Sequence, residues 1–195
     1  MKSAIKPMMD MWLRVRRSAK GLFGDISGLA ATEFAMVVPV MLILFFGTDE
    51  FASGIAVDRK VTLMARTLSD LTSQNISVTD AQLTNFFNAS SGIMTPYSAT
   101  PVRSTITELY VDPSTLAARV QWSKGSAPRT AGTTVAIPTA LQVGGTYLIY
   151  SEVSYAFVPT VGYVLKNSIT LSDFTFTRPR QSTCVMYNTT VCTTT

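Results

Sequence analysis

The sequence predicts an α+β protein: a long N-terminal helix, transmembrane at first and continuing outside, packed on a small antiparallel β-sheet head. Three observations carry this reading. Residues 29–47 form an apolar run interrupted only by Thr32 and Glu33, an apolar seam at helical spacing continues from it to Leu71, and alternating strand patterns begin only beyond residue 105. The chain divides accordingly into a basic segment (1–28), a transmembrane helix (29–47), its continuation outside the membrane (48–73), and an α/β head with a C-terminal tail (74–195).

The basic segment sets the topology. The net charge is +4, and residues 1–28 carry all of it: Lys2, Lys6, Arg14, Arg16, Arg17 and Lys20 stand against Asp10 and Asp25. Ten basic and ten acidic residues remain in the rest of the chain. A cationic cluster before a first span holds that end in the cytoplasm and sends the C-terminal part across the membrane. This accounts for the sequence pI of 9.2 without a nucleic-acid partner. Met, Trp and Leu interleaved with Arg in MMDMWLRVRRSAKGLFGD are the mark of a membrane-surface segment. Gly21 and Gly24 either loosen the approach to a cut site or serve as plain linker residues.

As a helix, the run Leu29–Gly47 extends roughly 28 Å at a rise of ~1.5 Å per residue, the thickness of a bilayer's hydrocarbon core. Glu33 is costly there, on the order of 3 kcal/mol even by translocon-insertion scales, and calls for a partner. Pro39 deletes one backbone hydrogen bond and marks a place where the helix can kink, which membrane helices tolerate.

The stretch Gly28-Leu-Ala-Ala-Thr-Glu33-Phe34 resembles the prepilin processing site of the type IV pilin superfamily, and ATEFAMVVPVMLILFFGTDEF resembles the TadE-like proteins of the tight-adherence pilus system. The resemblance covers about residues 26–74 and fades beyond them. It implies a type IV pilin-like fold and a minor pilin or pseudopilin cut between Gly28 and Leu29 by a prepilin peptidase. The other partners would be pilin-like subunits and an inner-membrane assembly platform, and the task building a pilus for surface attachment. Glu33, with Phe34 beside it, would then set the register between subunits: a new ammonium on Leu29 and a carboxylate in apolar surroundings each cost heavily unless they neutralise one another. The head departs from the major pilins of this system, which are very short. Two other readings stay open, a secreted binding protein whose signal peptide ends at Ala52-Ser53-Gly54, and an uncut membrane-anchored periplasmic scaffold.

Beyond Gly47, Gly54, Val57, Val61, Met64, Leu68 and Leu71 recur at spacings of three and four, so the helix is expected to continue and to pack on the head. Asp49, Glu50 and Asp58 read as a solvated acidic interface. Thr79 and Gln82 form a capping-box pattern opening a short helix through Phe86 and Phe87. A hairpin is expected from 106–112 and 116–123 around Asp112-Pro113-Ser114-Thr115, with Leu116, Ala118, Val120 and Trp122 on one face. A loop over 124–146 with an extended piece at Val135–Ile137 comes next. The strand 146–158 puts Tyr147, Ile149, Val153, Tyr155 and Phe157 on the face against the helix, and 169–178 follows with a bulge near Ser172-Asp173. Arg178 and Arg180 in the tail read as solvated charge.

Cys184 and Cys192 either close a short disulfide loop in an oxidising compartment, contributing a little under ~3 kcal/mol, or remain free thiols. The chain has no histidine, which excludes imidazole catalysis and histidine metal sites, and no phosphate-cradling glycine loop. No cofactor, metal or enzymatic activity is expected.

Overall fold

The computed structural model describes residues 27–159 and 167–192. The basic segment, with Gly21 and Gly24, lies outside the described residues apart from Ser27 and Gly28. The chain forms two compact units, Met1–Gly47 and Thr48–Thr195, and helix α1 (Ser27–Ser73) contributes residues to both.

In the first unit α1 is apolar around its whole circumference. Phe34, Met36, Val40, Leu42, Ile43 and Phe45 are all exposed, and successive steps of about 100° point them in every direction. A helix with no polar face has lipid or other helices as its solvent. It is long and apolar enough to cross a membrane.

The second unit is an α+β head. After α1 come β1 (Ser77–Val78), α2 (Asp80–Ser91), a 3₁₀ turn (Gly92–Met94), β2 (Val102–Val111), β3 (Ala118–Gly125), β4 (Thr134–Val135), a second 3₁₀ turn (Thr139–Leu141), β5 (Tyr147–Phe157), β6 (Ile169–Thr177) and β7 (Met186–Tyr187). Five strands form a curled antiparallel sheet in the order β4-β3-β2-β5-β6. The expected seam is the packing face of the helix: Val57, Val61, Met64, Ala65 and Leu68 are buried against Ile106, Trp122, Ile149, Val153, Tyr155 and Phe157.

The sheet's other face has its own core, Leu109, Val111, Ala118, Val120, Leu148 and Tyr150, and Ile137 and Leu141 from the excursion between β3 and β5 cover it. Gly125 begins that excursion at φ +134°, where a Cβ would stand 2.7 Å from Thr105 Cα. Only glycine fits so close an approach.

Local chemistry sets the ends of the elements. Thr79 accepts from Gln82 N–H at 3.3 Å while its own N–H donates to Gln82 Oε1 at 2.9 Å, so the capping box opens α2 as expected. Asp112 Oδ1 accepts from Ser114 and Thr115 N–H at 2.8 and 3.2 Å and turns the β2–β3 hairpin. Lys60 Nζ donates to the carbonyls of Ile93 and Thr95, both at 2.8 Å, and ties the 3₁₀ turn to α1.

The structure departs from the sequence reading in five places. The bulge lies not in β6, whose register against β5 is unbroken, but in β3 at Gln121, where the pairing steps from Glu108↔Trp122 to Leu109↔Val120. One extra residue reverses side-chain parity, so Trp122 joins the helix-side core while Ala118 and Val120 join the opposite one. The apolar parity of β6 changes because both its faces meet apolar neighbours. Leu171 packs toward the helix-side core, and Phe176 stacks on Tyr150 across the sheet at 4.5 Å.

The remaining corrections concern the helix and the tail. Glu50 is not solvated with Asp49 and Asp58: the helical period turns it to the side of Gly54, Val57 and Val61, and it is 2% exposed. Strand structure starts earlier than expected, because β1 pairs in parallel with β7 of the tail. Finally, Arg180 is not free charge, since its N–H donates to Ser73 O at 2.9 Å and its guanidinium meets Asp70 at 2.5 Å. That places a cation and a donor on the open carbonyl end of α1.

Two leucines on α1 separate packing from propensity. Leu68→Ala, at a fully buried position, is expected to cost about 2–5 kcal/mol in chemical unfolding of the full chain in detergent. Leu63→Ala, at a position 52% exposed, should change stability by no more than about 0.5 kcal/mol.

Candidate functional site

The residues expected to govern processing and assembly lie together at the start of α1. Gly28, Leu29, Glu33 and Phe34 are exposed, with Leu29 at 61% and Phe34 at 70%. Leu29 and Glu33 are four residues apart in one helix, so they share a side, separated by about 6 Å of rise. Thr32 turns inward on the backbone, its hydroxyl donating to Leu29 O at 2.8 Å. Glu33 makes no ion pair among the described residues. Pro39 lies within α1 and is exposed.

Glu33 is the seventh residue of α1 and lies beyond its first turn, which holds no acidic residue. An ammonium on Leu29 would add a full positive charge, and the carboxylate of Glu33 would be its complement, whether supplied by the same helix or by a neighbour.

A second polar centre lies in the head and was missed by the sequence reading. Glu108 is 1% exposed on the helix-facing side of β2. Its Oε1 accepts from Val185 N–H at 2.6 Å, and Trp122 Nε1 donates to Val185 O at 2.8 Å. One residue of the tail is thereby clasped on both sides by the sheet. Burial pushes the Glu108 carboxyl up to about 7, and the hydrogen bonds from Val185 and Trp122 pull in the other direction without overcoming it. Glu108 shares the parity of Ile106 and Tyr110 in ITELYVD, and a carboxylate at a core position of an alternating strand was the available signal.

Cys184 and Cys192 are joined in a disulfide with their Cα atoms 6.4 Å apart, and a Glu108 oxygen lies within 4.8 Å of both sulfurs. This is a possible three-ligand set by distance alone. With the sulfurs bonded to each other no thiolate is available, so the donor set does not fit a metal in this state. The disulfide instead closes the loop that Glu108 and Trp122 hold.

The family model described as TadE-like protein matches residues 28–68. No curated protein and no solved structure matches the chain. The matched segment takes in Gly28, Leu29, Glu33, Phe34 and Pro39 together with the packing seam of α1. The sheet and tail lie outside it.

The raised Glu108 carboxyl makes stability depend on pH. Between its ordinary value of 4.5 and about 7 the folded chain holds a proton that the unfolded chain has released, so stability is full below this window and falls as pH rises through it. The difference amounts to something on the order of 3 kcal/mol. Glu108→Gln keeps an acceptor for Val185 and cannot ionise. Melting curves of the full, oxidised chain in detergent should lose stability from pH 5 to pH 7.5 more steeply for the wild type than for the variant.

Proposed function

We propose that this chain, a pilin-like protein of the tight-adherence pilus system carrying a TadE-like domain at residues 28–68, is a minor pilin or pseudopilin that takes part in assembling the pilus used in surface attachment. A prepilin peptidase cuts it after Gly28. The mature protein is a single-pass inner-membrane subunit with its N-terminal end cytoplasmic and its head periplasmic, and other pilin-like subunits and the inner-membrane assembly platform are its partners. Its work is structural rather than enzymatic.

The observation that carries this reading is the exposed start of α1, with an apolar surface in all directions and one carboxylate a single turn beyond Leu29. In lipid, or among apolar helices, Glu33 is tolerated when a cation meets it, and the amine released by cutting after Gly28 is such a cation. If that amine belongs to the neighbouring subunit, the pair fixes the axial offset of one helix against the next. The signal-peptide alternative fits less well, because a cut after Gly54 would remove the buried Glu50 and open the helix only two residues before the buried Val57.

The mass of the mature N-terminus distinguishes the readings: Leu29 is expected, whereas Ile55 would indicate a signal peptide and Met1 an uncut anchor. Glu33→Ala should leave cleavage and insertion intact and remove incorporation into assemblies. Leaving one charge of a buried pair without its partner costs about 3–5 kcal/mol, enough to abolish stable association. Normal co-purification of the variant with pilin-like subunits would defeat the register role.

A further inference from the structure

The five-stranded sheet has two very different edges. At one end β4 is two residues long, a blunted edge of the kind that resists pairing. At the other end is β6, nine residues with no proline, lysine, arginine or bulge. No described strand pairs with its outer side.

Hydrogen bonding shows which amides face outward. Phe174 N–H donates to Asp173 Oδ1 at 2.8 Å and so points away from β5. Backbone groups alternate along a strand, which puts the N–H groups of Thr170, Ser172 and Phe176 on the same free side. Asp173 thus occupies one amide of the edge, and the others remain available for a ladder.

Cavities flank this edge on both faces of the sheet. One of 380 Å³ opens beside Ser172 and Phe174 and reaches Arg103. On the face toward α1, one of 360 Å³ lies beside Thr175 and Thr177 and is lined by Arg66, and a smaller apolar one of 220 Å³ lies beside Ile169 and Leu171. A strand laid along β6 would place its side chains alternately toward the two faces and thus toward these cavities. Arg129 and Arg180 line the same two cavities but are paired with Glu152 and Asp70, whereas Arg103 and Arg66 make no ion pair among the described residues and leave one unpaired cation on each face.

We propose that the free edge of β6 is a docking site for an extended strand from a partner protein, carrying carboxylates for Arg103 and Arg66 and an apolar side chain for the pocket at Ile169 and Leu171. The partner's carbonyl displaces the Asp173 carboxylate from Phe174 N–H as the ladder forms. A second copy of β6 is a poorer occupant, because its one carboxylate, Asp173, cannot serve both arginines. The edge lies in the head, so docking there is independent of cleavage after Gly28.

The test uses the full, oxidised chain in detergent and a fluorescent nine-residue peptide of Thr and Val carrying two glutamates, with the matching two-lysine peptide as control. The glutamate peptide should bind about tenfold or more tightly than the lysine peptide and should slow hydrogen exchange at Thr170, Ser172 and Phe176. Ser172→Pro removes an outward N–H while sparing the ladder to β5, and should abolish binding with the far-UV circular dichroism unchanged. Phe174→Lys puts a charge on the edge and should weaken binding about tenfold, which decides the matter if the proline variant fails to fold. Equal binding of the two peptides, no binding of either, or full binding by a folded edge variant would overturn the proposal. So would dimerisation of the chain through β6.

Discussion

The head depends on one burial. A curled sheet with apolar side chains on both faces cannot stand alone in water, and α1 covers one of those faces with Val57, Val61, Met64, Ala65 and Leu68. The same helix supplies the apolar surface of the first unit. One continuous element therefore answers to two solvents, with the exchange falling near Thr48, where the seam narrows the apolar surface from the whole circumference to one side.

That narrowing was readable because it is a change of period and needs no knowledge of the sheet. The seam, the capping box at Thr79 and Gln82, the hairpin turn at Asp112 and the aromatic stripe of β5 are all local patterns, and the structure contains each of them. The misreadings share a cause. Trp122 fell on the wrong face because a bulge is invisible to a period-two count. A bulge near Ser172-Asp173 is the wrong expectation for β6 because a strand with two apolar surroundings looks like one that has slipped. Glu50 was judged by its charge and not by its place in the seam.

The candidate site was legible only in part for a similar reason. Gly28, Leu29, Glu33 and Phe34 are close in sequence, and helical spacing suffices to place them together. Glu108, Trp122 and Val185 are brought together by tertiary structure alone, as are the edge of β6 and the arginines on either side of it. Charge follows the same rule. Arg180 looked idle in a polar tail until the fold brought the end of α1 to it.

The tie from Arg180 to the end of α1 belongs to a group of closures made late in the chain: Arg180 on Ser73, Val185 on Glu108 and Trp122, and Met186 on Ile76. Each joins a segment made early to one made among the last. For a polypeptide delivered from its N-terminal end, the carbonyls of Asp70 and Thr72 are met at once by Gln74 and Asn75, but that of Ser73 waits for Arg180, and β1 waits for a partner more than a hundred residues away. The head is thus a structure whose keystone arrives last: until residues 180–187 have emerged, the last carbonyl of the helix, the first short strand and a buried carboxylate all lack the groups that complete them.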